Sequence, residues 1–136
     1  HTMLNEPVSK IMKTNLYTAT AEDSLEKIHS LFREHRIHHV PVVDGVKLVG
    51  LITTHDLLKS NLCKENYGDA KVGDYMTKKV ATVETDAKIG TAAEIFLENR
   101  FHGLPVVNED RELLGFLTTF DVLNYVFRKE YPNNPW

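Results

Sequence analysis

The side chains best suited to chemistry come in pairs. Thr53 and Asp56, and again Thr118 and Asp121, form Thr-x-x-Asp directly after an apolar run, where a strand would hand over to a helix. At such a junction the first helical N–H groups lack intrahelical partners and the helix dipole is positive, so an anion is welcome. The threonine adds a hydroxyl there. Three residues on, the aspartate offers two acceptor oxygens, enough for both hydrogens of a vicinal diol. Helix capping competes with binding as the explanation: it accounts for the threonine but asks less specifically for the aspartate.

Other chemistries find less support. His35, His38 and His39 have a spacing that fits one helix face, but Val40-Pro41-Val42-Val43 turns the latter two into a strand entry. No cysteine or carboxylate cluster completes a tetrahedral set, so no metal site is expected. No nucleophile has a paired base and no Gly-rich phosphate loop is present, so no catalytic residue is expected either. His29 reads as helix surface.

The pairing of motifs is part of a duplication. Met12 and Met76, His38 and His102, and Pro41 and Pro105 are each 64 positions apart, while Gly50 and Gly115, Thr53 and Thr118, and Asp56 and Asp121 are each 65 apart. One residue was added in the intervening turn. Each copy alone would be a small domain, so the two are expected to complete one shared core. The boundaries read as a lead or tag remnant over 1–7, repeats over 8–64 and 72–130, a polar linker over 65–71 and a tail over 131–136. His1-Thr2 reads as a tag remnant before a native start at Met3.

Composition narrows the class. The 136 residues carry 16 basic and 19 acidic side chains, a net charge of -3, with the signs interspersed. Nucleic-acid binding needs concentrated positive charge to release counterions, so none is expected. No apolar run reaches the roughly eighteen residues of a membrane span, and no signal-peptide core is visible. The single cysteine, Cys63, fits a reducing compartment, so a cytoplasmic protein without membrane association is expected.

The elements that must position the motifs follow from periodicity. Residues 16–20 and 80–83 alternate as short strands. Leu25, Ile28, Leu31 and Phe32 share one face of a helix expected over 24–36, with Asp23 and Ser24 as its capping signal; Ile89, Ala92, Ala93 and Phe96 do the same for a helix opening near Thr85 and Asp86 and ending near Arg100. Strands follow over 40–43 and 104–107, whose Pro41 and Pro105 mark a sheet edge or a strand start. Asp44-Gly45 and the longer Asn108-Glu109-Asp110 turn them into strands over 48–53 and 113–118, completing hairpins. A second helix begins with Leu57 and Leu58, or Val122 and Leu123. Val8, Ile11 and Met12, and again Val72, Tyr75 and Met76, form a short lead-in whose methionine plugs the core. The unit is β-α-β-β-α, twice, in a mixed α+β fold. The tail is a frayed end, or else Tyr131 and Trp136 clasp the module or a partner chain.

Two such units, each with His-x-φ-Pro-Val-Val before its hairpin turn and Gly-φ-φ-Thr-x-x-Asp after it, resemble a tandem pair of CBS domains over residues 8–128. The resemblance implies two domains packed through their sheets with pseudo-two-fold symmetry, two clefts between them, and frequent assembly into disc-like homodimers. Such clefts commonly hold adenosine-containing ligands such as AMP, ADP, ATP, S-adenosylmethionine, NAD or cyclic dinucleotides. On that reading Thr53, Asp56, Thr118 and Asp121 take phosphate and ribose. The purine lies near Ala19-Thr20 or Val83-Glu84 and near Val40 or Leu104. His38 and His102 occupy the position where regulatory γ subunits of AMP-activated kinases place a histidine near phosphate, and His39 lies where a basic residue often follows.

The copies diverge at His39 against Gly103 and at His55 against Phe120. The cleft beside His38, His39 and His55 is therefore expected to be the more phosphate-friendly, although neutral imidazole contributes only hydrogen bonding until pH falls through the mid-sixes. The function expected is a non-catalytic regulatory module with AMP, ADP or ATP as ligand, no catalytic cofactor, and an unidentified regulated protein. Regulation of that kind requires different ligand affinity in two states of the module. The alternative is a structural dimerisation module whose clefts are vestigial or filled by side chains, as Phe120 suggests.

Overall fold

A computed structural model describes residues 3–133; His1-Thr2 and the proposed clasp residue Trp136 lie outside them. The chain forms helix α1 (Leu25–His35), strands β1 (His39–Asp44) and β2 (Lys47–Thr53), helices α2 (Thr54–Lys59) and α3 (Val72–Tyr75), strand β3 (Val83–Glu84), helix α4 (Ile89–Asn99), strands β4 (Gly103–Val107) and β5 (Leu113–Thr118), and helix α5 (Thr119–Glu130). The order β-α-β-β-α recurs, the first strand of the first copy being the single bridge of Ala19 to Val42. This is the expected mixed α+β class.

The compact units do not coincide with the two sequence copies, and only one of them is a consecutive stretch of chain. One spans Tyr17–Val80; the other joins the residues up to Leu16 to those from Ala81 onward. Each lead-in thus serves the other copy's hairpin. Lys13 and Phe116 exchange two backbone hydrogen bonds of 2.9 Å, adding a residue of strand to the outer edge of β5. Thr77 and Leu51 do the same for β2, at 2.8 and 2.9 Å. Upstream, the Glu6 carbonyl accepts from Ile89 N–H at 2.8 Å, and the Ala70 carbonyl from Leu25 N–H at 2.9 Å. A borrowed carbonyl therefore satisfies the first orphan N–H of α1 and of α4. That is why α4 opens at Ile89 instead of near Thr85 and Asp86. Ser24 caps α1, accepting from Lys27 N–H, while Asp23 takes the N–H of Thr20.

Most of the buried apolar side chains gather in two clusters, one in each unit. One gathers Leu25, Ile28, Val40, Val42, Ile52, Tyr67 and Val72; the other Val8, Val83, Ile89, Ala92, Phe96, Leu104, Val106 and Leu117. Each closes because the borrowed segment fills it, Val72 in one and Val8 in the other being fully buried. A fully buried valine stabilises by about 1.5–3 kcal/mol. The polar linker also belongs to the packing. Lys64–Asp69 is a 3-10 turn that buries Tyr67, edge-on to His29.

The hairpins obey their turn residues. Gly45 has φ +64° as the first of two loop residues, the place where a mirror-image turn demands glycine. In the longer turn Asn108 Oδ1 accepts from Asp110 and Glu112 N–H groups. Both hairpins bulge at equivalent places, after Val42 and after Val106. Pro41 and Pro105 are not at strand starts, and Pro105 lies in the central strand of the β3-β4-β5 sheet. The sheet tolerates it because β3 pairs only with the next two residues, Val106 and Val107. At the other end of the chain α5 stops at Glu130, before Pro132, and the Tyr131 ring lies 5.1 Å from that of Phe127.

Gly50 and Gly115 let the lead-in methionines close on the hairpins. A Cβ at Gly115 would lie 2.5 Å from Met12 Sδ and 2.9 Å from the Lys13 carbonyl oxygen; at Gly50 it would lie 2.6 Å from Met76 Sδ. A methionine can swing away, but the carbonyl belongs to the edge bridge. Gly115→Ala is therefore expected to cost about 1–3 kcal/mol in chemical denaturation; an unchanged midpoint would show that the bridge is dispensable.

Glu6 joins the lead-in to α5. Its carboxylate accepts from Lys10 at 2.8 Å, from the Tyr125 hydroxyl, and from Lys129 at 3.3 Å. These donors, Lys10 first, lower its pKa from 4.5 to about 2, while burial and then Glu6 raise that of Tyr125 to about 12. A depressed folded-state pKa gives stability that is present above the unfolded value and is lost as pH falls through the folded one. The stability gap between the chain and Glu6→Gln should thus close as pH drops from 4.5 toward 2; a gap independent of pH would contradict this.

Candidate functional site

Each Thr-x-x-Asp sits where its strand turns into a helix. Thr53 ends β2 and is the N-cap of α2; Thr118 ends β5 and caps α5. Both sites form a complete capping box: the threonine hydroxyl accepts the N–H of the aspartate, and the aspartate accepts the N–H of the threonine. These bonds measure 3.2 and 2.9 Å for Thr53 with Asp56, and 3.1 and 2.9 Å for Thr118 with Asp121. Aspartate at the third helical position is thus as much part of the cap as threonine, a share in capping that the sequence reading did not assign it.

The two carboxylate oxygens divide the work. Oδ2 of Asp56 takes the N–H and the hydroxyl of Thr53, while Oδ1 accepts only a long 3.4 Å bond from the Thr77 hydroxyl. Oδ2 of Asp121 takes the Thr118 N–H, and Oδ1 receives the Lys13 ammonium. The aspartates are 5 and 9% exposed, the only buried charged side chains among the described residues. One oxygen holds the helix; the other meets Thr77 or Lys13. Capping takes up one oxygen of each carboxylate, so at most one per carboxylate is left for other partners.

The histidines enter partly through their backbone. The carbonyl of His38 accepts the N–H of Thr54 at 3.2 Å, and that of His102 accepts the N–H of Thr119 at 3.0 Å. Two helical N–H groups at each corner are therefore already bonded, the second going to the capping hydroxyl, which leaves less room for an anion than an uncapped terminus would. The imidazoles of His38, His55 and His102 are exposed, and His39 faces Thr53 across the hairpin. Phe120 is 68% exposed. Among the described residues no cluster of three or more His, Cys, Asp or Glu could hold a metal ion.

The expected purine contacts fall in the interior. Val40 and Leu104 are 0 and 1% exposed, and Ala19 and Val83 are buried beside them. Their side chains belong to the two cores, so these positions can offer a ligand little beyond backbone. Thr20 is exposed, its N–H bonded to Asp23 at 2.8 Å. One unit thus brings together Ala19, Thr20, His38, His39, Val40, Thr53 and Asp56, the other Val83, His102, Leu104, Thr118 and Asp121.

Sequence reasoning missed Lys13 and Thr77. They are 64 positions apart and directly follow the paired methionines, so the repeat offset aligned them; what it could not tell is which carboxylate each would reach. Because the cap is half of each corner's structure, Asp56→Ala and Asp121→Ala are each expected to lower stability by about 1–2 kcal/mol. Unfolding midpoints that match the parent chain would show the caps to be ornamental.

Comparison with known proteins agrees with this architecture. The family model for the CBS domain matches residues 8–62 and 72–128. An inosine-5′-monophosphate dehydrogenase of Korarchaeum cryptofilum is 37% identical over 87% of this chain and 23% of its own length. Of the first curated relatives matched, this chain spans 20 to 42%. Among solved structures, CBSX2 of Arabidopsis thaliana in complex with AMP is 29% identical, with a TM-score of 0.82 over 92% of this chain and 98% of that one. The CBS domain pair of MJ0100 in complex with 5′-methylthioadenosine and S-adenosyl-L-methionine is 27% identical, with a TM-score of 0.78 over 90 and 97%. With two matched copies over most of its length, the chain belongs to the CBS-domain family as a tandem pair.

Proposed function

We propose that this chain is a non-catalytic regulatory module that binds an adenosine-containing nucleotide, of the AMP, ADP or ATP class, at its Thr-x-x-Asp corners. What carries the reading is Oδ1 of Asp56 and of Asp121, left over by the helix cap and able to accept a ribose hydroxyl. Its adenosine class is supported by two CBS pairs of nearly the same extent, solved with AMP and with S-adenosylmethionine and methylthioadenosine. His38, His39 and His102 stand at the rim for phosphate, and backbone near Ala19, Thr20, Val40, Val83 and Leu104 meets the base. The regulated target is a partner protein or an attached domain, since relatives with enzyme names are four to five times longer than the matched part. A cytoplasmic setting agrees with the free, exposed Cys63 and with the described residues holding no helix long and apolar enough to cross a membrane.

A thermal-shift panel of AMP, ADP, ATP, NAD, S-adenosylmethionine and cyclic dinucleotides tests the reading. A ligand at one hundred times its dissociation constant adds about 2.7 kcal/mol. Asp56→Ala and Asp121→Ala should each remove one site by calorimetry; silence across the panel would overturn the proposal.

A dimerisation module acting through protein partners is the second reading. It draws on Leu58 and Leu123, equivalent in the two copies and 79 and 67% exposed, beside the exposed Phe120. Apolar side chains left out at matching places suit a homodimer. Sedimentation should show a dimer that Leu58→Glu with Leu123→Glu dissociates; a monomer at all concentrations would remove that assembly from both readings.

A further inference from the structure

Lys13 and Thr77 hold the same place in the two units. Each bridges the outer hairpin strand, Lys13 to Phe116 and Thr77 to Leu51, and each reaches the Oδ1 that the helix cap leaves over. The side chains could hardly differ more: one is a permanent ammonium on a flexible stem, 56% exposed, and the other a neutral hydroxyl at 3.4 Å. We infer that Lys13 makes the Asp121 corner selective for anionic, phosphorylated adenosine ligands, whereas the Asp56 corner also accepts uncharged adenosine compounds. This rests on the nucleotide reading above and gives its two corners different ligand classes.

The argument is one of charge balance. Without ligand, the ammonium and the buried carboxylate of Asp121 neutralise one another. A ribose hydroxyl arriving at Oδ1 must share or displace that ammonium, and an uncharged nucleoside returns nothing for the charge-assisted bond it weakens. A 5′-phosphate does, because the lysine stem can swing its ammonium onto an anion within reach of the sugar. A sulfonium ligand would meet like charge. At Asp56 a ribose hydroxyl displaces only the long Thr77 bond, so phosphate is not required. Histidines pointed to the Asp56 corner as the more phosphate-friendly; the full charge of Lys13 shifts that preference to the other.

Calorimetric titration of the full chain with AMP and with adenosine tests this. Asp56→Ala isolates the Asp121 corner and Asp121→Ala the other. At the Asp121 corner AMP should bind at least about tenfold tighter than adenosine, the equivalent of one charge-assisted bond. Lys13→Thr should abolish that preference, Lys13→Arg should retain it, and Thr77→Lys should install it at Asp56. Equal affinities for AMP and adenosine at the Asp121 corner, or a preference that survives Lys13→Thr, would overturn the inference while leaving nucleotide binding intact. Failure of both ligands to bind at either corner would remove the nucleotide reading, and this inference with it.

Discussion

The edge bridge between a borrowed lead-in and a hairpin is the contact on which the rest depends. Lys13 with Phe116, and Thr77 with Leu51, close their backbone bonds only because a glycine one residue along the hairpin strand leaves room for the preceding methionine. With the bridge in place, Val8 or Val72 reaches its core and the Glu6 or Ala70 carbonyl caps α4 or α1. The same bridge delivers Lys13 or Thr77 to the aspartate oxygen that the cap leaves over. Stability and the chemistry of each corner thus share one cause. A fold of this kind ties its two sequence copies together through the chain itself, since the backbone passes from one unit to the other at Leu16 and returns at Val80.

At each corner a buried carboxylate is kept by splitting its oxygens between two tasks. Burying a charge is costly unless it is hydrogen-bonded, and the capping box supplies the bonds from one side. The remaining oxygen is fixed in direction by a rigid strand-to-helix turn. For the proposed function that is a preorganised acceptor, which would lose little entropy on meeting a ligand hydroxyl. Regulation then requires only that the occupied corner favour one arrangement of the module over another.

Much of this was legible in the sequence because it is local or periodic. The two hairpins announced themselves through Asp44-Gly45 and Asn108, and α1 through the spacing of Leu25, Ile28, Leu31 and Phe32. The duplication itself was visible as a constant offset. What stayed hidden depends on partners distant in sequence. An offset of 64 says that Met12 and Met76 are equivalent, but not that each belongs to the other copy's hairpin. For the same reason α4 could not be started correctly, its first N–H being capped by Glu6, 83 positions earlier. Tyr67 looked like linker because its neighbours are polar, yet tertiary packing buries it. Val40 and Leu104 had the apolar character of a purine wall, and the same character placed them in the cores. The local pattern places Leu58 and Leu123 only at the start of their helices; that both face outward is a matter of tertiary packing it does not show.

Amide NMR during titration with AMP tests the central claim most directly, since it reads both corners at once in the intact chain. Saturable shifts concentrated at Thr53 to Asp56 and at Thr118 to Asp121, spreading to the bridge residues Lys13 and Thr77, are the predicted result. Shifts confined to other surfaces, or an unaltered spectrum at millimolar AMP, would contradict the account.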